Sequence, residues 1–329
     1  MSKLSDEFII RGKKIKNRIV MPPMFCFTFT GDNGGMYGEQ YVEHYTKRAK
    51  GGTGLIIIQA TSVVGATKQI GVWSDEQMKP LEKIAQNCHR YGSAIMMQLS
   101  CGDIDINELT IEEIHTMQED CIAAATRAKQ AGFDGIEYHF AHGYTLCRFL
   151  DSTFNKRTDN YGGTLKNRIR FLTEIMPQVR QVVGEEFIVC VRMGGNIPDV
   201  TGAIDVAKAF EEAGVDLLHV SFGMNEPANI IPADFQCSTI AFNGSEIKKH
   251  VKIPVIAVSE IFTGEQAKFL IENEYVDFAA IGRGIYADEN WANKVLADEP
   301  IQQCRNCGGS SRKCLWFVDH TKCPAKKIG

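Results

Sequence analysis

Runs of apolar, β-branched residues alternate with amphipathic stretches along almost the whole chain. A run of four to eight such residues bounded by turn signals predicts a strand, and apolar positions recurring every three to four residues predict a helix. The predicted strands are Arg18–Met21, Gly54–Ala60, Ala94–Leu99, Gly135–His139, Phe187–Met193, Leu217–Ser221, Val255–Val258 and Phe278–Ile281. A helical pattern follows each: Glu39–Lys50, Asp75–Tyr91, Thr110–Ala131, Thr164–Val183, Ala203–Ala213, Ser238–His250, Thr263–Glu272 and Glu289–Leu296. Runs such as Leu55-Ile56-Ile57-Ile58 are apolar without alternation, as a parallel strand covered on both faces requires. Eight strand–helix units in this order predict an α/β fold, a (β/α)8 TIM barrel, with two doubly wound domains as the competing layout. No Pro/Gly/Ser-rich linker interrupts the alternation, which favours one barrel over residues 1–299. Phe8–Lys14 reads as a short hairpin closing the barrel floor, and residues 300–329 form a Cys-rich tail outside the repeat.

Composition narrows the function classes. In 329 residues, 36 Lys and Arg stand against 40 Asp and Glu, which argues against nucleic acid or an anionic membrane surface as a partner. No apolar run reaches membrane-span length and the first fifteen residues lack a signal-peptide layout, so a soluble, cytoplasmic protein is expected. Seven of the eleven cysteines are scattered, as suits a reducing compartment. The other four, Cys304, Cys307, Cys314 and Cys323, are gathered in the tail and suggest a metal site.

In a barrel of this kind the chemistry lies at the C-terminal ends of the strands. There the chain places Pro22-Pro23-Met24, Ala60, Gln98, His139 with His142, Arg192, Ser221, Ser259-Glu260 and Gly282-Arg283. Ser259 and Gly282-Arg283 offer backbone N–H groups and a guanidinium to a phosphate, although a tight turn that needs glycine explains the same residues. Arg192 in a barrel mouth calls for an anionic or acceptor-rich partner, or for a structural ion pair. Gln98 can read a heterocyclic amide edge or be a satisfied core amide. His139 and His142 leave the fourth strand together, so both imidazoles can serve one carbonyl or anionic oxygen. No carboxylate partners them at metal-ligand spacing.

These residues carry a resemblance. The chain resembles the old yellow enzyme family, the NADH:flavin oxidoreductases, along nearly its whole barrel. The matching segments are Lys16–Met24, Gly71–Asp75, Ala131–Gly135, His139-Phe140-Ala141-His142-Gly143-Tyr144, Asn155–Gly163 and Ile281-Gly282-Arg283. The resemblance implies a non-covalent FMN in the barrel mouth. Pro22, Pro23, Met24, Phe25 and Ala60 would line its ring system, and Gln98 and Arg192 would meet its pyrimidine edge. Ser259, Glu260, Gly282 and Arg283 would hold its phosphate. His139 and His142 match the pair that binds the electron-withdrawing oxygen of a small-molecule unsaturated substrate, and Tyr144 matches the tyrosine that delivers a proton.

The function implied is ene-reduction of an α,β-unsaturated carbonyl or thioester. The alternatives are an oxidative demethylase or dehydrogenase of the same family, and a non-catalytic flavin/metal electron-transfer subunit. NAD(P)H or an external electron donor would supply the electrons, and the resemblance leaves room for a homo-oligomer.

Three positions depart from the family pattern. Phe25, with Cys26 next, stands where a Thr or Cys usually lies near the flavin. Leu99-Ser100-Cys101-Gly102-Asp103 follows Gln98 in place of a longer capping segment, which implies a smaller roof. Asn225 stands about where the 2,4-dienoyl-CoA reductase-like iron–sulfur branch has a histidine. The tail spacing, Cys304-x2-Cys307-x6-Cys314-x8-Cys323, resembles the four-cysteine iron–sulfur motif of that branch, with Ser311 near the place of its third cysteine. A [4Fe–4S] cluster is therefore expected, with zinc, or no metal at all, as the alternatives.

Overall fold

A computed structural model describes residues 2–26, 29, 35–65, 70–225, 230–308 and 314–327. A two-stranded antiparallel hairpin comes first, β1 (Phe8–Ile10) and β2 (Lys13–Ile15), with Arg11 and Gly12 at its turn in the left-handed region. Eight parallel strands then close into a barrel: β3 (Ile19–Met21), β4 (Leu55–Ser62), β5 (Ala94–Ser100), β6 (Gly135–Phe140), β7 (Ile188–Gly194), β8 (Leu217–Ser221), β9 (Val255–Ala257) and β10 (Phe278–Ala280). Each strand pairs with the next and β10 returns to β3, so the sheet has no edge.

The helices between strands are α1 (Glu39–Lys50), α2 (Met78–Arg90), α3 (Ile111–Gln130), α4 (Thr145–Leu150), α5 (Leu165–Arg168), α6 (Arg170–Val183), α7 (Val200–Glu212), α8 (Thr239–Lys248) and α9 (Gly264–Glu272). After β10 come α10 (Arg283–Ala287) and α11 (Trp291–Leu296), and the tail carries α12 (Leu315–Val318). The helix expected over Thr164–Val183 is two. Its first turn is tied down by Asn167 to the Gly162 carbonyl and by Arg168 to the Leu150 and Gly163 carbonyls, and the helix breaks at Ile169. No helix among the described residues is long and apolar enough to cross a membrane.

Because strand side chains alternate between faces, each barrel strand contributes to two cores. Outward residues such as Ile56, Ile58, Ile136, Tyr138 and Val191 pack under the helices in the larger cluster. Inward residues, among them Leu55, Ile57, Met96, Ile188, Leu217, Ile256 and Phe278, fill the barrel and rest on Ile10 and Ile15 of the hairpin. Toward the C-terminal ends the inward positions turn polar: Gln98, Glu137, His139, Arg192 and His219, every one buried. The barrel is therefore apolar at its floor and charged beneath its mouth.

The tail is docked on the barrel by aromatic packing. Trp316 is 2% exposed and stacks on Tyr286 of α10 with ring centroids 3.6 Å apart, and it also meets Phe29 and His44 of α1.

Candidate active site

A cavity of about 370 Å³ opens at the C-terminal ends of the strands, within the range usual for small-molecule and cofactor sites. All fourteen barrel residues expected to contact a cofactor or substrate line it: Pro22, Pro23, Met24, Phe25, Ala60, Gln98, His139, His142, Tyr144, Arg192, Ser259, Glu260, Gly282 and Arg283. Residues that the sequence reading did not assign complete it, chiefly Ser221, Phe222, Ile240 and Phe262.

One wall comes from the end of β6. His139 is its last inward residue. The chain then turns through His142 (φ 64°) and Gly143 (φ 73°), and Tyr144 caps α4. This turn brings the His142 ring within 4.9 Å of the His139 ring, and the Tyr144 ring within 5.2 Å. The two imidazoles are hydrogen-bonded to each other, His139 Nε2 to His142 Nδ1 at 2.8 Å, and His142 Nε2 reaches Ser221 Oγ at 2.7 Å. They are therefore linked in series rather than free side by side. Burial, with the nearby Arg192 charge, pulls His139 down to about 3, so it is a neutral imidazole, and its Nδ1 has no hydrogen-bond partner among the described residues.

Arg192 is buried at the end of β7. Its Nη2 lies 3.4 Å from Ser221 Oγ and its Nε has no hydrogen-bond partner among the described residues. Below it, Glu137 accepts from Gln98 Nε2 (2.7 Å) and lies 2.7 Å from His219 Nδ1. Burial pushes the Glu137 carboxyl up, but His219, Arg192 and Gln98 more than offset this and hold it below the ordinary carboxylate range. Burial likewise pulls His219 down, which leaves it neutral with its proton on the nitrogen facing Glu137.

Opposite, Ser259 (φ 91°) and Glu260 (φ 56°) are consecutive non-glycine residues in the left-handed region. That conformation is strained and characteristic of ligand clamps. At Gly282 an added Cβ would come 3.2 Å from Met24 Sδ and 3.7 Å from Pro22 Cγ, so a side chain there would crowd the cleft. The Arg283 guanidinium lies over the Phe262 ring at 4.8 Å, 3.8 Å from Glu260, and against Asn306 of the tail.

Phe25 lines the cavity, whereas Cys26 does not. The Cys26 thiol is buried beside Tyr286 and Arg48, and burial pushes it up to about 12. The Tyr286 hydroxyl donates at 3.3 Å toward the Met24 and Phe25 carbonyls, tying this wall to the helix on which the tail is stacked.

The tail cysteines are less coherent. Cys314 and Cys323 are buried, Cys304 is partly buried and Cys307 is exposed. Burial pushes the Cys304 thiol up, and Cys307 and Cys323 are near enough to add to that. Among the described residues, however, no three His, Cys, Asp or Glu are gathered to hold a metal ion. Ser311 lies outside the described residues.

A strand-built polar cleft at the C-terminal ends of a closed (β/α)8 barrel is where enzymes of the TIM-barrel class carry their chemistry. The NADH:flavin oxidoreductase / NADH oxidase family model matches residues 7–108 and 102–302. The chain belongs to this family and is an FMN-dependent oxidoreductase.

Among its relatives, an NADH oxidase of Thermoanaerobacter brockii is 35% identical across 92% of this chain. The chain spans about half of that protein, 52% of its length. An NADPH dehydrogenase of Listeria monocytogenes is also 35% identical, over 89% of this chain and 94% of its own. Among solved structures, a 2-naphthoyl-CoA reductase complex matches 96% of this chain and 56% of its own with a TM-score of 0.86 at 24% identity. The old yellow enzyme homologue of Zymomonas mobilis matches 92% and 94% with a TM-score of 0.76 at 25% identity.

The cavity fits a flavin. Among the described residues it offers buried donor capacity without a partner at Arg192, an amide at Gln98 and a clamp at Ser259–Glu260, on a scale suited to a cofactor.

Proposed function

We propose that this protein reduces the activated C=C bond of an α,β-unsaturated carbonyl or thioester. The observation that carries the reading is the meeting of His139, His142 and Tyr144 on one wall of a cavity that also holds Gln98 and Arg192.

FMN bound there would supply the hydride. Its ring system would lie against Pro22–Phe25 and Ala60, its pyrimidine edge at Gln98 and Arg192, and its phosphate at Ser259, Glu260, Gly282 and Arg283. The names of the relatives, NADH oxidase and NADPH dehydrogenase, support a reduced nicotinamide as the electron source.

The protein's own share is placement and charge. A substrate carbonyl oxygen at the histidine pair would break the His139–His142 bond and take its donor, which stabilises negative charge growing on that oxygen. His139 contributes as a neutral donor, because its imidazolium is strongly disfavoured. Tyr144, beside His139, would place its hydroxyl to protonate the α-carbon. Among the described residues the cavity's acidic side chain, Glu260, lies 3.8 Å from the Arg283 guanidinium, which disfavours a cationic amine as the substrate.

The finer reading of the tail, a [4Fe–4S] cluster or zinc on Cys304, Cys307, Cys314 and Cys323 and with it membership of the iron–sulfur branch, rests on spacing alone. The described residues do not fit a metal as they stand, and the reaction proposed requires no electron through the tail. Iron and zinc analysis of the purified protein decides it.

The test of the main reading is rapid mixing of the pre-reduced enzyme with an unsaturated ketone, wild type beside Tyr144→Phe. Flavin reduction by NAD(P)H should be unchanged in the variant. Reoxidation by the alkene should slow about 10²- to 10⁴-fold, the span of lost general-acid catalysis. Equal reoxidation rates, with a solvent isotope effect showing that proton transfer limits them, would remove Tyr144 from this role; no reoxidation by any activated alkene would remove the function.

A further inference from the structure

Directly beneath the cavity the barrel holds a carboxylate to which the reaction above gives no part. Glu137 and His219 are both fully buried. Strand register puts Glu137 beside Gln98 on one side and Cys190 on the other, and His219 beside Arg192. Glu137 Oε1 accepts from Gln98 Nε2 at 2.7 Å; Glu137 Oε2 lies 2.7 Å from His219 Nδ1 and 3.6 Å from the Cys190 thiol.

An ionised carboxylate only accepts hydrogen bonds. It therefore admits one orientation of the Gln98 amide, with nitrogen toward Glu137 and oxygen away. Gln98 lines the cavity, so the atom turned to a ligand there is its Oε1. Beside it stands the Arg192 guanidinium, its Nε without a hydrogen-bond partner among the described residues.

We infer that Glu137 is a positioning residue: by fixing the Gln98 amide it gives the cavity one acceptor next to one cationic donor, the complement of an N–H flanked by carbonyls at the pyrimidine edge of a flavin. The inference rests on the FMN reading above. Glu137 touches neither cofactor nor substrate and acts through Gln98. Its ionisation agrees with this, since the surrounding donors hold the carboxyl low despite its burial.

The experiment is a double-mutant cycle on the full chain, with FMN as the ligand. FMN affinity is measured by fluorescence titration for wild type, Glu137→Gln, Gln98→Leu and the double variant. Glu137→Gln keeps the shape but can donate as well as accept, so Gln98 is free to turn over. FMN affinity should fall at least tenfold in Glu137→Gln, and the same change should cost less than threefold in the Gln98→Leu background.

The flavin midpoint potential supplies a reading that a merely structural role would not move. Losing the buried negative charge favours reduced flavin, and a tenfold change in the affinity ratio of reduced to oxidised FMN corresponds to about 30 mV for two electrons. Equal losses in both backgrounds, or an unchanged potential, would overturn the inference.

If Glu137→Gln gives no folded protein, ¹⁵N NMR of FMN labelled at N3 serves instead. Its N3–H resonance should shift between wild type and Gln98→Leu, and an unmoved resonance overturns the inference. Wild type that takes up no FMN overturns the flavin reading and this inference together; wild type that binds FMN while the cycle is additive overturns this inference alone.

Discussion

Trp316 joins the tail to the wall of the cavity formed by Met24 and Phe25, and Trp316→Ala should show it twice. The side chain is 2% exposed and lies against Tyr286, Phe29 and His44. Truncating a buried tryptophan costs about 3–5 kcal/mol through lost transfer energy and the cavity left behind. For a chain of 329 residues the unfolding entropy near 60 °C is about 0.7 kcal/mol per kelvin, so the melting temperature should fall by roughly 4–7 °C. Should the tail undock before the barrel melts, the loss appears instead as a new protease-sensitive site beyond Pro300, because the cheapest opening is the one that exposes least. The second effect follows from Tyr286, whose hydroxyl reaches the Met24 and Phe25 carbonyls. With its stacking partner gone that wall loosens, and FMN should bind less tightly. Scanning calorimetry, limited proteolysis and FMN titration on wild type, Trp316→Phe and Trp316→Ala form the assay, with Phe intermediate. A melting temperature within about 1 °C of wild type, with no new cleavage and unchanged FMN affinity, would refute the claim that aromatic packing anchors the tail to the site.

Arg192→Ala should weaken FMN binding by about 10- to 150-fold, the worth of a hydrogen bond to a charged group, as read by flavin fluorescence on dilution; undiminished retention would show that Arg192 serves the barrel alone. His139 is pulled from 6.5 to about 3 on folding, so its contribution to stability is complete above pH 6.5 and lost as pH falls toward 3, at about 1.4 kcal/mol per unit. His139→Gln should therefore flatten the dependence of stability on pH between 6.5 and 4 by one proton; urea melts across that range with equal slopes for both proteins would show that His139 is not buried as a neutral ring.

The barrel was legible because its strands are buried on both faces. Leu55-Ile56-Ile57-Ile58, β-branched and apolar without alternation, suits a strand covered on both faces and is found in one, and Leu217–Ser221 has the bounds expected. The cavity-lining residues were legible for a related reason: most stand at strand ends, where backbone direction delivers them to one cavity. Boundaries set by side-chain hydrogen bonds over distance were not legible, and the break at Ile169, fixed from Leu150, Gly162 and Gly163, is one such case. Nor was the docking of the tail, since nothing local to Trp316 names Tyr286 as its partner.

Glu137 shows what a finer reading of the same sequence offers. In Gly135-Ile136-Glu137-Tyr138-His139 the period of two puts Glu137 on the same face as His139, and His139 faces the barrel interior. A carboxylate at that position has no water to face, so it must be met by donors from neighbouring strands. The register then supplies Gln98 on one side, and His219 approaches from β8. The strand pattern thus contained a charged layer under the mouth, visible once each strand is split into its two faces. The mutual hydrogen bond of His139 and His142 lay beyond that reach. Sequence spacing brings the rings close, but whether they face a ligand or each other depends on the left-handed turn at His142 and on Ser221, delivered by another strand. A neutral imidazole has one donor and one acceptor; here one bond joins the two rings and another runs from His142 to Ser221, while His139 Nδ1 has no hydrogen-bond partner among the described residues, and in the function proposed above a substrate oxygen would compete with the bond between the rings.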